Sequence, residues 1–350
     1  MKKKTNRAIV LGIVALGVIL AILWLWLKYP NEEFDYEVVE LGSLGGSAGA
    51  ATALNNVGQV VGWYEVNFLK HAFIWDANQG MRGLGTLGGW RSMASGINDR
   101  GQVVGWAKTA EGPVHAFVWE PEAGMTDLGT LGGSMSMAMA INNKGQIVGF
   151  SKTTEDQTHA FIWDANQGMR DLGTLGGGNS YAYGINDKGE VVGRGFYWDR
   201  VGGMVDIAVP HSHGAVPCIN NAGQVAGIFL HKNKDMDVFI WEKGAGVKSL
   251  GLSGVAPLRL WPVAVSVKMN DSGEIIGRQK KPEIFHIGAS WYFLRTRLGR
   301  VIKLNKYGRS ESEQIAVSDI NNDGSMAGMV GSPGSVSERP ILLKRKWLLD

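Results

Sequence analysis

Hydrophobic and polar positions alternate along this chain in a pattern that returns about every 44 residues. The fullest copies read SGINDRGQVVGW from Ser95, HAFVW from His115 and GMTDLGTLGG from Gly124. Short β-branched and aromatic runs between turn residues predict strands. Each Asn-Asn/Asp-x-Gly turn between two apolar runs predicts a tight hairpin with glycine at a positive φ. One copy therefore predicts four antiparallel strands, a to d, which make one propeller blade.

The a–b turn counts the copies, because it is the best preserved landmark. It occurs seven times, at Asn55, Asn98, Asn142, Asn186, Asn220, Asn270 and Asn321. The seventh copy lacks strand d, whereas Tyr36–Leu44 reads as a strand d that no a, b or c precedes. We predict that this N-terminal strand pairs with the C-terminal copy and closes the ring, since an open ring would expose two sheet edges. The predicted fold is an all-β, seven-bladed propeller of four-stranded antiparallel blades over residues 36–350, with strand a innermost because its residues are small.

The N-terminus has a different pattern. Residues 8–27 carry no charge, and Lys2, Lys3, Lys4 and Arg7 precede them. Twenty apolar residues are about the length of a membrane-spanning helix, and basic residues before a span stay in the cytoplasm. The sequence predicts a cytoplasmic tail at 1–7, a transmembrane signal anchor at 8–27 and a linker at 28–35. This places a single-pass protein in the cytoplasmic (inner) membrane with its propeller in the periplasm or outside the cell; a cleaved signal peptide is the alternative.

Charge argues against nucleic acid as a partner. The chain has 35 Lys and Arg against 32 Asp and Glu, but five of the cations precede residue 31. The remainder is slightly acidic and lacks the broad positive field that nucleic-acid binding requires. Cys218 is the single cysteine, so no internal disulfide can form.

Where HAF, the Trp-Asp or Trp-Glu pair, LGTLGG and the IN-N/D-x-G turn coincide, the sequence resembles the HAF-repeat family of bacterial extracellular proteins. The triplet itself occurs at His71, His115 and His159, and later copies lack it. The resemblance covers about Tyr36 to Asp350. It implies export and a repeat domain, and no particular reaction.

The repeated residues favour structural roles. One tryptophan per copy on strand c is typical of core between blades, and a hydrogen bond from each repeated histidine to a neighbouring loop is the expected contact. The turns are shorter than a calcium loop, and LGTLGG lacks the helix of a phosphate cradle. His211 and His213 would need a third ligand to hold a metal, Cys218 reads as core, and no Ser/His/Asp arrangement is recognisable. We therefore predict no cofactor, no metal and no catalytic residue.

Differences between copies point to the binding site. The a–b and c–d connections share one face of the disc and are uniform, whereas the b–c and d–a connections share the other face and vary. Loops on a rigid scaffold are where function concentrates. The predicted ligand-binding residues at the d–a crossings of the variable face are Trp90, Arg91, His211, His213, Trp261 and Arg309.

The predicted function is that of a membrane-tethered, non-enzymatic binding or scaffold module in the bacterial cell envelope. Its expected partner is an envelope protein, peptide or glycan. The alternative is an envelope lyase or hydrolase of polysaccharide or peptide with its site at the channel mouth. An enzyme should bring several titratable groups with shifted pKa values into one pocket.

Overall fold

The computed structural model describes residues 34–207, 217–230, 236–252, 255–256, 258–260, 263–265, 267–280, 290–307, 314–331 and 338–347. Contacts divide the chain into two compact units, Val38–Lys344 and a smaller one of Met1–Glu37 with Arg345–Asp350. Apart from one 3₁₀ turn at Leu304–Tyr307, every regular element of the described residues is a β-strand.

The strands follow the copies of the repeat. After β1 (Phe34–Glu40), the first three copies comprise β2 (Ala48–Leu54), β3 (Val60–Val66), β4 (Leu69–Asp76) and β5 (Gly80–Gly83); β6 (Gly88–Ile97), β7 (Val103–Thr109), β8 (Val114–Glu120) and β9 (Gly124–Asp127); and β10 (Gly132–Ile141), β11 (Ile147–Thr153), β12 (Thr158–Asp164) and β13 (Gly168–Asp171). The fourth and fifth comprise β14 (Ala182–Ile185), β15 (Val191–Gly193), β16 (Phe196–Asp199) and β17 (Gly203–Asp206); and β18 (Cys218–Ile219), β19 (Val225–Leu230), β20 (Met236–Glu242) and β21 (Gly246–Ser249). The last two comprise β22 (Val255–Ala256), β23 (Leu258–Leu260), β24 (Val263–Val265), β25 (Val267–Met269), β26 (Ile275–Lys280), β27 (Ser290–Arg295) and β28 (Val301–Lys303); and β29 (Gln314–Ile320), β30 (Met326–Gly331) and β31 (Arg339–Trp347).

These strands build an all-β propeller, but its blades are not seven separate sheets. Five blades are separate: β2-β3-β4-β5, β14-β15-β16-β17, β18-β19-β20-β21, β22-β26-β27-β28 with β25 on β26, and β1-β31-β30-β29. The second and third copies share one eight-stranded sheet, because β10 runs parallel to β8 where Met135 meets Val114. Their first strands are ten residues long and extend through the Gly-Gly segment, which lets β10 reach β8. The prediction of a seven-bladed propeller with four strands in each blade is therefore wrong: five blades are present as separate sheets.

No element of the described residues corresponds to the predicted transmembrane helix. In the part of the chain that the structure describes, no helix has the length and hydropathy that spanning a bilayer requires. The strands of that part are at most ten residues long. The tail at 1–7, the anchor at 8–27 and most of the linker at 28–35 lie outside the described residues. The structure therefore does not support the single-pass membrane location that was predicted from them.

The strand that precedes the a–b turn of each copy is innermost, as predicted. These strands contact one another in a closed circuit: β2, β6, β10, β14, β18, β25, β29 and again β2. Their alanines are fully enclosed, with Ala51, Ala94 and Ala138 at most 1% exposed. The small side chains therefore allow neighbouring strands to pack closely around the axis.

The N-terminal strand completes the C-terminal sheet, as the sequence predicts. β1 lies beside β31, and the backbone N–H of Leu41 donates to the carbonyl of Pro340 at 3.1 Å. Within the smaller unit, the Arg345 guanidinium lies 4.2 Å from the centre of the Phe34 ring and donates to the Tyr36 hydroxyl at 3.1 Å. The chain is thus joined end to end without a covalent link.

Hydrophobic cores lie between neighbouring sheets. The phenylalanines of the third strands, Phe73, Phe117 and Phe161, are fully buried. Gly105 faces Phe117 across β7 and β8, where a Cβ on the glycine would lie 2.0 Å from the Met93 carbonyl. The repeated tryptophans pack against these cores, which confirms their structural interpretation; they are Trp75, Trp119, Trp163, Trp198 and Trp241.

A serine explains why HAF and LGTLGG recur together. The Ser92 hydroxyl donates to the Gly85 carbonyl at 2.6 Å and accepts the Ala72 N–H at 2.9 Å. Ser136 and Ser180 make the same pair of bonds in the next two copies. Each serine begins one copy and binds two segments of the copy before it, so the motif fastens neighbouring blades together.

Candidate functional site

Two of the three repeated histidines bind an aspartate of strand d in their own copy, where a hydrogen bond to a neighbouring loop was expected. His115 Nδ1 lies 2.7 Å from Asp127 Oδ2, and His159 Nδ1 lies 2.6 Å from Asp171 Oδ2. In the fifth copy Asp237 takes the histidine's place and accepts a hydrogen bond from Ser249. Each pair joins strand c to strand d within one copy, so these residues hold the blade together.

A depression of about 160 Å³ lies on the axis, on the face of the a–b turns. Seven asparagines that begin these turns surround it: Asn55, Asn98, Asn142, Asn186, Asn220, Asn270 and Asn321. Each is at most 5% exposed. Every side-chain Nδ2 donates to the backbone oxygen of the next asparagine, at 2.9–3.4 Å, and Asn321 donates to Asn55. The asparagines thus form a closed circuit of hydrogen bonds.

A second circuit surrounds the first. The next residue of each turn alternates between amide and acid: Asn56, Asp99, Asn143, Asp187, Asn221, Asp271 and Asn322. The backbone N–H of each donates to Oδ1 of the next at 2.8–2.9 Å. Each aspartate Oδ2 also accepts from the side-chain amides on both sides, at 2.8–3.2 Å. Because seven is odd, two like residues must meet, and these are Asn322 and Asn56.

These hydrogen bonds join the turns to one another and already occupy the oxygens of the carboxylates. Each of the three aspartates already accepts three N–H groups, so its oxygens are poorly placed to become metal ligands. In the part of the chain that the structure describes, no three His, Cys, Asp or Glu side chains come together as a metal site requires. The a–b turns of the uniform face therefore contribute to stability rather than to metal binding.

Two polar side chains of the inner strands also titrate unusually. Burial raises the pKa of the Cys218 thiol to about 11, so the thiol stays protonated at neutral pH. Burial also raises the pKa of Asp319, although Lys268 Nζ lies 3.7 Å from its Oδ1 and opposes the shift. Cys218 is buried, which confirms its assignment to the core.

The variable face holds the predicted ligand-binding residues that the structure describes. Trp90 and Arg91 lie on β6, at the end remote from the Asn98 turn. His211, His213, Trp261 and Arg309 lie outside the described residues, so the predicted grouping of all six remains a prediction.

A β-bulge presents Trp90 and Arg91. Gly88 faces Thr109 and Ser92 faces Ala107, so three residues of β6 lie opposite Lys108 alone. The third copy has the same bulge between Gly132 and Ser136. Bulges turn side chains away from the regular sheet and often lie beside functional sites. Both copies therefore have the bulge, whereas only the second carries a Trp-Arg pair there.

Arg91 lies among aromatic rings. Its guanidinium carbon is 5.6 Å from the centre of the Trp90 ring and 5.5 Å from that of Trp106. Lys108 Nζ lies 5.8 Å from the Trp90 ring. Trp90 is 49% exposed, whereas Trp106 is buried. One indole thus faces the solvent with two cations beside it.

A second cation–π pair continues the surface into the first copy. Lys70 Nζ lies 3.6 Å from the centre of the Trp63 ring. Burial lowers the pKa of Lys70, Glu65 and Glu338 oppose this shift, and the positive charge of Arg91 adds to it. β6 packs against both β3 and β4, which brings the two pairs near each other. We call this surface the tryptophan–arginine cluster: Trp63, Lys70, Trp90, Arg91, Trp106 and Lys108.

Two donors of the cluster lack acceptors. Arg91 Nε and Trp106 Nε1 are buried and form no hydrogen bond. Within the described residues, Arg91 also forms no ion pair. A buried polar group without a partner costs on the order of 1–3 kcal/mol. The cluster therefore has donors and charge that its own protein leaves unmatched.

Sequence reasoning found Trp90 and Arg91 but missed the other four members. A signal was present: the residue after the Val-Val-Gly of strand b is tryptophan in the first two copies only, at Trp63 and Trp106. Their proximity to Trp90 depends on which strand ends meet across a copy boundary, and a single repeat does not reveal that.

Family comparison agrees with the repeat architecture. Residues 88–298 match the family described as Protein of unknown function (DUF3466). The chain belongs to this family. The DUF3466 segment spans the second to the sixth copy and so includes Trp90, Arg91, Trp106 and Lys108. The predicted resemblance to the HAF-repeat family is untested by this match, and no curated protein matches the sequence significantly.

Solved structures share the fold of this DUF3466 protein. It is similar to a catalytically inactive virginiamycin B lyase from Staphylococcus aureus with quinupristin, at 10% identity and a TM-score of 0.55 over 89% of this chain and 100% of the other. It is also similar to the β-propeller domain of the Trilobed protease from Pyrococcus furiosus, at 10% identity and a TM-score of 0.54 over 87% of this chain and 98% of the other. At such low identity, these likenesses establish the β-propeller fold and no activity.

Proposed function

We propose that this propeller is a non-enzymatic binding module whose site is the tryptophan–arginine cluster. The observation that carries the proposal is the half-exposed Trp90 beside Arg91, a guanidinium without an ion pair in the described residues. Tryptophan and arginine are the side chains that most often dominate binding energy at recognition surfaces.

The repeated residues strengthen the proposal because the fold already accounts for them. The asparagine circuits, the serine bonds and the His–Asp pairs all join one part of the ring to another. The third copy has Ser134 and Met135 where the second has Trp90 and Arg91, yet both copies form the same bulge. The fold therefore does not require the Trp-Arg pair, which leaves recognition as its role.

The partner that we propose is a protein, peptide or glycan of the bacterial envelope. We expect binding without turnover, so a captured ligand should leave the protein chemically unchanged. Shortened or cleaved ligand after prolonged incubation would favour the alternative, an envelope lyase or hydrolase.

The test uses the chain itself as bait for the protein and polysaccharide fractions of an envelope extract. The variant exchanges Trp90→Ser and Arg91→Met, the residues that the same bulge carries in the third copy. We expect at least a roughly tenfold loss of captured ligand, with a melting temperature within a few degrees of the parent, because hot-spot residues carry most of the binding energy.

Lys144→Ala is the matched control, because it removes one exposed cation from the opposite face. We expect it to bind as the parent does. If both variants retain full binding, or both lose it equally, the cluster is not the site.

A further inference from the structure

We infer that the ligand of the tryptophan–arginine cluster is an acidic glycan, a chain of sugars that carry carboxylates. This inference rests on the function proposed above and adds the chemical class of the ligand. It follows from three features of the cluster: a flat ring open to solvent, more cations than acids, and a guanidinium without an ion pair.

The open ring is Trp90. Its indole is 49% exposed, while the neighbouring Trp106 is buried. An exposed indole offers a flat apolar face with modest loss of side-chain freedom on binding, which suits a ring-shaped ligand. A pyranose presents such a flat face through its C–H groups.

The cations are Lys70, Arg91 and Lys108. Lys108 and Arg91 flank Trp90, and Lys70 covers Trp63. Glu65 and Glu338 are the acids that influence Lys70, whereas Arg91 forms no ion pair within the described residues. A ligand that stacks on Trp90 meets positive charge on its rim, and the complementary ligand carries negative charge there.

The donors specify oxygen. Arg91 Nε and Trp106 Nε1 both lack an acceptor. Sugar hydroxyls and carboxylates supply acceptors, and arginine binds carboxylate with a planar fork of donors. A carboxylated sugar therefore complements the exposed ring and the positive charge together, and it supplies an acceptor to the Arg91 guanidinium.

The backbone argues against an acidic peptide. Extended peptides commonly bind by adding a strand to a free sheet edge. Trp63, Trp106 and Lys108 lie on interior strands, since β3 pairs with β2 and β4, and β7 pairs with β6 and β8. Trp90 and Arg91 lie on β6, the last strand of its sheet, but the bulge there interrupts the regular edge on which a strand could be added. The cluster therefore offers side chains and no regular strand edge.

The experiment compares three polymers by titration against the full chain. Polygalacturonate has sugar rings and carboxylates, methyl-esterified polygalacturonate keeps the rings without the charge, and poly-glutamate keeps the charge without the rings. We expect polygalacturonate to bind, and each of the other two to bind at least about tenfold more weakly. Trp90→Ser and Arg91→Met should each weaken polygalacturonate about tenfold or more, whereas Lys144→Ala should not.

The outcomes separate this inference from the proposed function. Equal binding of the esterified polymer, preferred binding of poly-glutamate, or polygalacturonate binding that ignores both substitutions would overturn the acidic glycan. So would an absence of polygalacturonate binding. In each of these cases the proposed function still stands if the extract ligand is lost from the Trp90→Ser, Arg91→Met double variant, and it falls if that ligand is retained.

Discussion

At the residue scale, the buried asparagines explain why the a–b turn is the best preserved landmark. Asn142 shows the pattern: its Nδ2 donates to Gln146 Oε1 and to the Asn186 carbonyl, while its Oδ1 accepts the N–H groups of Lys144 and Gln146. Four bonds from one amide fold the turn and join it to the next copy. Aspartate has a similar shape but no donor when ionised, so it is a sharp probe of this role.

We therefore expect Asn142→Asp to lower the free energy of unfolding by about 2–4 kcal/mol, because it loses two donors and faces two oxygens with a buried carboxylate. Urea denaturation at neutral pH measures this. Asn78→Asp changes an exposed turn on the same face and should cost less than about 0.5 kcal/mol. Similar values for the two variants would contradict the role assigned to Asn142.

At the element scale, the N-terminal strand shows what the sequence could predict. Tyr36–Leu44 was identified as a strand d without a copy of its own, and pairing of β1 with β31 follows from that pattern. The sequence does not predict the extended β10, because its Gly-Gly segment is typical of a turn. That segment becomes part of a strand only through pairing of β10 with the neighbouring β8. The bulge at Trp90 was missed for a related reason: register is a property of two strands.

Leu41 tests the closure. It is 3% exposed and packs in a core with Phe73 of the first copy and Leu342 of the last. Leu41→Ala should cost about 2–4 kcal/mol, since it leaves a cavity where the two ends of the ring meet. Leu44→Ala, at a position 38% exposed, should cost under about 1 kcal/mol.

Tryptophan fluorescence during urea denaturation is the measurement. We expect one transition that shifts as a whole for Leu41→Ala, because the copies form one closed circuit. A separate early transition would mean that the ring opens locally and that closure does not stabilise the other blades.

At the scale of the whole molecule, the outer circuit ties the charges of distant copies together. Asn143 donates to both Asp99 and Asp187, at 3.2 Å each, and so separates two carboxylates with an amide. The candidate site was only partly predictable at this scale, because which loops converge depends on the closed ring and not on any one copy.

Asn143→Asp would place three carboxylates in consecutive turns and remove two donors. We expect it to lower the free energy of unfolding by about 1–3 kcal/mol at pH 7. The loss should shrink below about pH 4, where carboxylates accept protons and regain a donor. Denaturation at pH 7 and pH 3.5 tests this against Asn166→Asp, an exposed turn residue; a loss that does not depend on pH would exclude charge repulsion.

The alternation of amide and acid also has a consequence for how such a chain can grow. The identical stretches His71–Arg82 and His159–Arg170 lie 88 residues apart, which is two copies and not one. Copying an Asn-bearing and an Asp-bearing unit as a couple keeps every acid between two amides, whereas deleting a single amide unit brings two acids side by side. Insertion or deletion of such a couple therefore never places two acids side by side. The Asn322–Asn56 neighbours show that two amides can adjoin, and they stand where the chain's first and last copies meet.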